Sequence, residues 1–312
     1  MFENPFHRAV YLTGPTASGK SAVGVALARR LNGEIIALDS MTLYRGMDIG
    51  TAKPTMAERG GIPHHLIDVL DPWESASVGQ YRAWALEKIL EVEGKGRRPI
   101  FVGGTALYLK TLLRGLFEGP GADPAIRAEL EEEARRFGSD ALHARLSRLD
   151  PSLAARLHPN DERRIVRALE VIRLTGRPLS EFQTEHESPA PTGVQVYALE
   201  WPRNKLYERI NDRVELMFRG GLVEEVRGLM AAPRPLCSVT AQGVGYREVI
   251  DFLDGRHKLD ATIGLVQTRT RQFAKRQGTW FRGLKEVVPM AVGDSDIEQV
   301  ADAIARKAES SP

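Results

Sequence analysis

The octapeptide Gly14-Pro15-Thr16-Ala17-Ser18-Gly19-Lys20-Ser21 carries the clearest chemistry in the chain. An apolar run, Ala9-Val10-Tyr11-Leu12, precedes it, and a helix-like run, Ala22-Val23-Gly24-Val25-Ala26-Leu27, follows it. A strand that ends in a glycine-containing loop and re-enters a helix aims successive backbone N–H groups, and the positive end of a helix dipole, at one point. Such a loop cradles phosphate or pyrophosphate. Lys20 would reach the terminal phosphates and Ser21 would offer its hydroxyl to Mg²⁺. The loop alone names no reaction.

A second group narrows the choice. Nucleoside-triphosphate hydrolases usually place an acid at the end of a neighbouring apolar strand to hold the metal. Here Pro99-Ile100-Phe101-Val102 runs into Gly103-Gly104-Thr105 with no carboxylate. The acid comes instead from Ile35-Ile36-Ala37-Leu38-Asp39-Ser40, where a strand delivers Asp39 to the sheet edge beside the phosphate loop. Position alone leaves Asp39 open between a site carboxylate and a helix cap.

The elements that must hold these residues read as an α/β alternation. Expected strands are Val10 to Leu12, Glu34 to Leu38, His65 to Val69 and Pro99 to Val102, with helices over Val78 to Val92 and Thr105 to Leu113. This is a parallel-sheet core with helices on both faces and its ligand site at the carboxyl ends of the strands, over residues 1–121. After Gly119-Pro120-Gly121 no β-rich run appears until Val194 to Leu199, and Pro124 to Phe137 and Asn160 to Leu174 read as charged helices. Residues 122–190 are therefore expected to form a helical insertion, closed by the linker Glu187-Ser188-Pro189-Ala190-Pro191-Thr192-Gly193. Residues 191–312 return to the core and become mostly helical over Lys205 to Arg219, Leu222 to Met230, Tyr246 to Leu253 and Asp260 to Gln277.

Composition sets the class. In 312 residues, 42% hydrophobic and 27% charged, wholesale disorder is excluded, and no apolar run approaches the length of a membrane span. Met1-Phe2-Glu3-Asn4-Pro5 lacks a signal pattern, and the single Cys237 removes a disulfide framework and a cysteine-rich zinc site, so a soluble cytoplasmic protein is expected. A net charge of +2 says little about a nucleic-acid partner. Its distribution says more: Arg269, Arg271, Lys275, Arg276, Arg282 and Lys285 occur without an acid among them and with Phe273, Trp280 and Phe281 interleaved. That pattern suits an RNA backbone, and it equally suits a solvated face over core aromatics.

Eight blocks in order resemble the bacterial tRNA dimethylallyltransferases. They are Gly14 to Ser21, Asp39 to Tyr44, Gly46 to Pro54, Pro63 to Asp68, Gly103-Gly104-Thr105, Arg164 to Glu170, Gly245 to Glu248 and Ala274 to Arg282. The resemblance implies transfer of a five-carbon allyl group from dimethylallyl diphosphate to the exocyclic amine of the adenosine just 3′ of the anticodon, with Mg²⁺. It implies that Gly14, Pro15, Thr16, Ala17, Ser18, Gly19, Lys20 and Ser21 hold diphosphate, Ser21 also holding the metal. Asp39 is then the general base, because an alkylated adenine amine must lose a proton. Thr105 would hydrogen-bond at the reacting groups, and Arg213, otherwise a helix-surface ion pair, would face the diphosphate. Contacts to tRNA fall on Asp39, Ser40, Met41, Thr42, Thr105, Arg127, Arg163, Arg164, Arg167, Lys275 and Arg276, the insertion acting as a clamp on the anticodon stem while the target base is flipped. Two departures from the pattern occur: Ala106 follows Gly-Gly-Thr where Gly is commoner, and Thr42-Leu43 replaces Gln-Val before Tyr44, which alters the expected base contact.

Three other classes remain open to the same residues. An isopentenyltransferase for free adenine nucleotides needs the cradle and the base without the insertion. A small-molecule kinase could use Arg163 to Arg177 as a lid, and an RNA-binding module could retain a vestigial nucleotide loop. No membrane contact and a monomeric state are expected.

Overall fold

The structure is a computed structural model that describes residues 4–116, 119–182, 189–293 and 296–310. Six strands form one parallel sheet in the order β3-β2-β4-β1-β5-β6: β1 Val10–Thr13, β2 Gly33–Ala37, β3 His64–His65, β4 Arg98–Val102, β5 Gln195–Glu200 and β6 Val287–Ala291. Alternation decides which face each side chain meets. Val10, Leu12, Ile35, Ile100, Tyr197 and Leu199 face one way, onto α1 (Lys20–Arg30) and the C-terminal Ile297–Ser310 helix. Tyr11, Ile36, Phe101, Val196 and Ala198 face the other, where α2 (Val78–Gly94) and α3 (Ala106–Arg114) bury Tyr81, Ala85, Ile89, Leu109 and Leu112. Because both faces of the inner strands are covered, β1, β2, β4 and β5 are buried along nearly their whole length.

The described chain divides into two compact units, one of Met1–Leu113 with Pro189–Pro312 and one of Arg114–Ser188. In the second, α4 (Pro124–Phe137), α5 (Ser139–Leu149) and α6 (Glu162–Thr175) pack around Leu130, Ala134, Leu142, Leu146, Ile165 and Leu169, apolar residues spaced by three or four along each helix. Asp123 caps α4 by accepting from Ala125 N and Ile126 N, with Pro124 in the first turn. The division falls at Arg114, where α3 ends, before the Gly-Pro-Gly at which the composition changes. Of the expected linker, Glu187 and Ser188 lie outside the described residues.

The remaining helices of eight or more residues in the first unit are α7 (Arg203–Arg219), α8 (Leu222–Met230), α9 (Tyr246–Leu253), α10 (Leu259–Arg282) and α11 (Ile297–Ser310). Two expectations change. The strand expected over His65 to Val69 is only His64–His65, because Leu66 and Asp68 both take φ of 58° and break the extended run. The tail holds a strand and a helix, β6 and α11, beyond the last element expected from the sequence.

Candidate active site

β1 delivers the phosphate loop to the carboxyl edge of the sheet. Thr13 Oγ1 donates to Gly103 O at 2.9 Å and Gly103 N to Leu12 O at 3.1 Å, so the ends of β1 and β4 are tied together. Gly14 has φ of 138°, and a Cβ there would come within 2.8 Å of Leu199 O on β5, so only glycine lets the loop turn so close to the sheet. Ala17, a non-glycine residue, is held at φ of 63°. Two side chains brace the loop from outside. Arg209 of α7 donates from Nε to Ala17 O at 2.9 Å and stacks 4.5 Å over Trp201, whose Nε1 donates to Ser18 O at 2.9 Å. Inside the loop, Ser18 Oγ is buried without a hydrogen-bond partner among the described residues, a donor that an anion could satisfy.

Three ionisable side chains converge on this edge. Lys20 opens α1 and donates from Nζ to Pro15 O at 2.7 Å. Burial, reinforced by the positive charge of Arg213 and opposed by Asp39, lowers Lys20 from 10.5 to about 7. Asp39 follows β2, its Oδ1 accepting from Met41 N at 2.8 Å. Burial raises its pKa, although Met41 N–H, Lys20 and Arg213 favour the carboxylate. Arg213 projects from α7, its pKa lowered by burial and by Arg209 against the attraction of Asp39. No carboxylate among the described residues lies within ion-pair distance of Arg213, so the helix-surface pair considered for it is absent. Thr105 completes the edge: its N donates to Leu38 O at 3.1 Å and its Oγ1 accepts from Ser40 N at 3.0 Å. That contact needs Gly103, where a Cβ would meet Leu38 O at 2.1 Å.

The sequence missed two residues of this edge. Arg209 is one. Gln277 is the other, its Oε1 accepting from Thr16 N at 2.8 Å and its Nε2 donating to Gly104 O at 2.9 Å. Its place inside a basic, aromatic stretch gave no local sign of this, since its partners lie far away in the chain.

The residues expected to meet RNA are distributed unevenly. Ser40 and Met41 are half-buried, whereas Thr42 is buried, its Oγ1 donating to Asp39 O at 3.5 Å. Lys275 and Arg276 on α10, and Arg163 and Arg164 on α6, are exposed. Arg127 and Arg167 both bind Glu170, a fully buried carboxylate: Arg127 Nε at 2.9 Å and Arg167 Nη1 at 2.6 Å, with Asp123 N at 2.7 Å. Burial would raise Glu170, but the two guanidiniums and the Asp123 N–H more than offset it and hold the carboxyl below its ordinary value. The three side chains together carry one net positive charge, with Arg127 and Arg167 side chains 40% and 27% exposed.

No group of three His, Cys, Asp or Glu side chains able to hold a metal occurs among the described residues. The exposed Ser21 hydroxyl in the first turn of α1 and the Asp39 carboxylate are hard oxygen donors. Such a sparse set fits Mg²⁺, which keeps waters and takes substrate phosphate oxygens rather than a full protein cage. No helix among the described residues is long and apolar enough to cross a membrane.

Known proteins resemble this chain along nearly its whole length. The IPP transferase family matches residues 42–284, and the isopentenyl transferase family matches residues 8–68. The chain is 48% identical over 289 residues to the tRNA dimethylallyltransferase of Geobacter metallireducens, covering 92% of this chain and 94% of that protein. It is 51% identical over 276 residues to that of Geobacter sulfurreducens, covering 88% and 89%. Among solved structures it is similar to the full-length tRNA isopentenylpyrophosphate transferase of Bacillus halodurans, with a TM-score of 0.72, 42% identity and 97% of each chain covered. It is also similar to a eukaryotic dimethylallyltransferase acting on tRNA, with a TM-score of 0.76, 29% identity, and 92% of this chain and 74% of that chain covered. With a phosphate loop, a raised carboxyl and a basic helix on one scaffold, and with relatives matched over nearly its whole length, the chain belongs to the IPP transferase family.

Proposed function

We propose that this chain transfers the dimethylallyl group of dimethylallyl diphosphate to the exocyclic amine of the adenosine adjacent, on the 3′ side, to the anticodon of tRNA, acting as a cytoplasmic monomer. The observation that carries the reading is a phosphate loop with a buried, unpartnered Ser18 hydroxyl and with Lys20, whose charge is felt by both Asp39 and Arg213.

The bond between the allylic carbon and the diphosphate oxygen breaks as the amine nitrogen bonds to that carbon. Charge then grows on the leaving diphosphate. Backbone N–H groups of Gly19, Lys20 and Ser21 at the start of α1, the Ser18 hydroxyl, Lys20 and Arg213 would meet that charge as it forms, which is electrostatic catalysis by groups already oriented. Ser21 would hold Mg²⁺ together with diphosphate oxygens and waters, and the ion would supply Lewis-acid charge neutralisation at the diphosphate when bound. Alkylation makes the amine far more acidic, and Asp39 takes the proton it loses. A carboxyl raised by burial suits that role, being closer in pKa to a working pH. Thr105 hydrogen-bonds at the amine and, with Ser40, Met41 and Thr42, lines the base.

Lys275 and Arg276 on α10 and Arg163 and Arg164 on α6 offer exposed cationic ends to tRNA phosphates, Arg164 while also paired with Asp161 at 3.5 Å. Arg127 and Arg167, pre-oriented by Glu170, add a rigid positive patch to the insertion of residues 122–190, read as the tRNA clamp. Residues 1–121 and 191–312 supply the donor site and the RNA-facing helices. Mass spectrometry of nucleosides from an anticodon stem-loop incubated with the protein, dimethylallyl diphosphate and Mg²⁺ tests the reading, with AMP as the competing acceptor. Alkylated adenosine in the stem-loop is expected. Efficient alkylation of AMP beside an inert stem-loop would falsify it in favour of a free-nucleotide enzyme.

A further inference from the structure

Gln277 is 6% exposed and lies one turn from Ala274, which packs on Ala17 of the phosphate loop together with Leu206 and Ile210 of α7. Its amide joins two loops of the site, accepting from Thr16 N and donating to Gly104 O. Gly104 is what admits it, since a Cβ there would stand 2.4 Å from Nε2.

The N–H and C=O of a trans peptide point in opposite directions. The Pro15–Thr16 peptide turns its N–H to Gln277 and its carbonyl to Lys20 Nζ. One peptide plane therefore lies between the buried face of α10 and the phosphate-binding lysine. Lys275 and Arg276, in the same helical turn as Gln277, are exposed. A hydrogen-bonded helical turn moves as a unit, so a ligand that fixes its outer face also fixes the amide on its inner face.

We infer that Gln277 is a positioning residue that couples RNA held on the outer face of α10 to the diphosphate site, by fixing the Pro15–Thr16 peptide and through it Lys20. The inference rests on the tRNA and dimethylallyl diphosphate reading above. RNA bound at Lys275 and Arg276 steadies this turn, so the donor site is ordered before donor arrives and RNA raises the affinity for diphosphate. By linkage, diphosphate raises the affinity for RNA by the same factor.

Titration of inorganic diphosphate with Mg²⁺ into the full chain, with and without the anticodon stem-loop, measures the coupling. The wild type is expected to bind diphosphate about fivefold or more tightly when the stem-loop is present. Gln277→Met keeps the bulk of the side chain and removes its amide, so the ratio falls to near one while stem-loop affinity stays within about twofold. Gln277→Glu keeps an oxygen for Thr16 N–H and, once its carboxyl is protonated, an O–H for Gly104 O, so coupling returns at acidic pH measured beside wild type. A wild type that binds both ligands without coupling, coupling preserved in Gln277→Met, or coupling absent from Gln277→Glu at acidic pH as well would each overturn the inference. A wild type that binds neither diphosphate nor stem-loop would overturn the substrate reading instead.

Discussion

Replacing Lys20 by Met is expected to stabilise the folded protein while destroying its donor site. In the unfolded chain Lys20 titrates at its ordinary 10.5, and in the folded protein at about 7, chiefly because the site desolvates it. Between those values the unfolded chain holds more protons, so wild-type stability rises with pH across that window. Below it, the full cost of a charged, desolvated lysine is present. The shift corresponds to at most roughly 4–5 kcal/mol, at about 1.4 kcal/mol per pH unit. Losing the Nζ hydrogen bond to Pro15 O returns about 1 kcal/mol of that gain. The side chain is only half-buried, so water reaching it reduces the remainder to about 1–2 kcal/mol. The assay is thermal unfolding of both proteins at a pH of about 6.5 and again near 10. Lys20→Met should melt a few degrees higher at the lower pH and lose most of that lead at the higher. Addition of diphosphate should raise the wild-type midpoint and leave that of the variant nearly unmoved. A variant that melts below wild type at the lower pH, or a lead that does not shrink as pH rises, would refute the desolvation account of Lys20.

Asp39→Asn keeps the shape and the Met41 contact but removes the proton acceptor, so single-turnover transfer should fall by ~10²–10⁴ while stem-loop binding survives. A rate close to wild type would sink the general-base assignment. Alanine at Arg163, Arg164, Lys275 or Arg276 should each flatten the log–log dependence of tRNA affinity on salt by ~0.7–0.9, and an unchanged slope would make that residue a solvated one. Glu170→Ala leaves the guanidiniums of Arg127 and Arg167 without their buried partner and should cost about 3–5 kcal/mol, read as an early melting transition; a melting curve like that of wild type would show that the cluster holds nothing together.

The donor side of the site was legible in the sequence because its signal is local. A strand, a glycine-rich turn and a helix start occupy adjacent residues, and Asp39 follows its strand directly. What the sequence hid depends on contacts between distant segments. Gln277 meets Thr16 from 261 residues away, and Arg209 meets Ala17 from 192. Glu170 looked like one more surface acid on a charged helix until the helices packed and buried it. The strand β6 escaped notice because it is an edge strand, holding Pro289 and an exposed Val288, and an edge position tolerates both. The over-long strand at His65 followed from a largely apolar run whose backbone turns left-handed at Leu66 and Asp68, which no periodicity reveals.

The first unit is assembled from both ends of the chain, and this sets an order on its synthesis. β1 takes β5 as a neighbour on one side, and α1 packs against α11 through Val300, Ala301 and Ile304. A nascent chain therefore emerges with its phosphate loop attached to an unfinished sheet. Residues 114–188 can close their own core while the ribosome is still translating, but the donor site cannot. Its β5 arrives only after them, and the helix that shields Val23 and Leu27 arrives last. Until then the apolar outer face of α1 stays open, the stage at which chaperone capture or aggregation competes most strongly with folding.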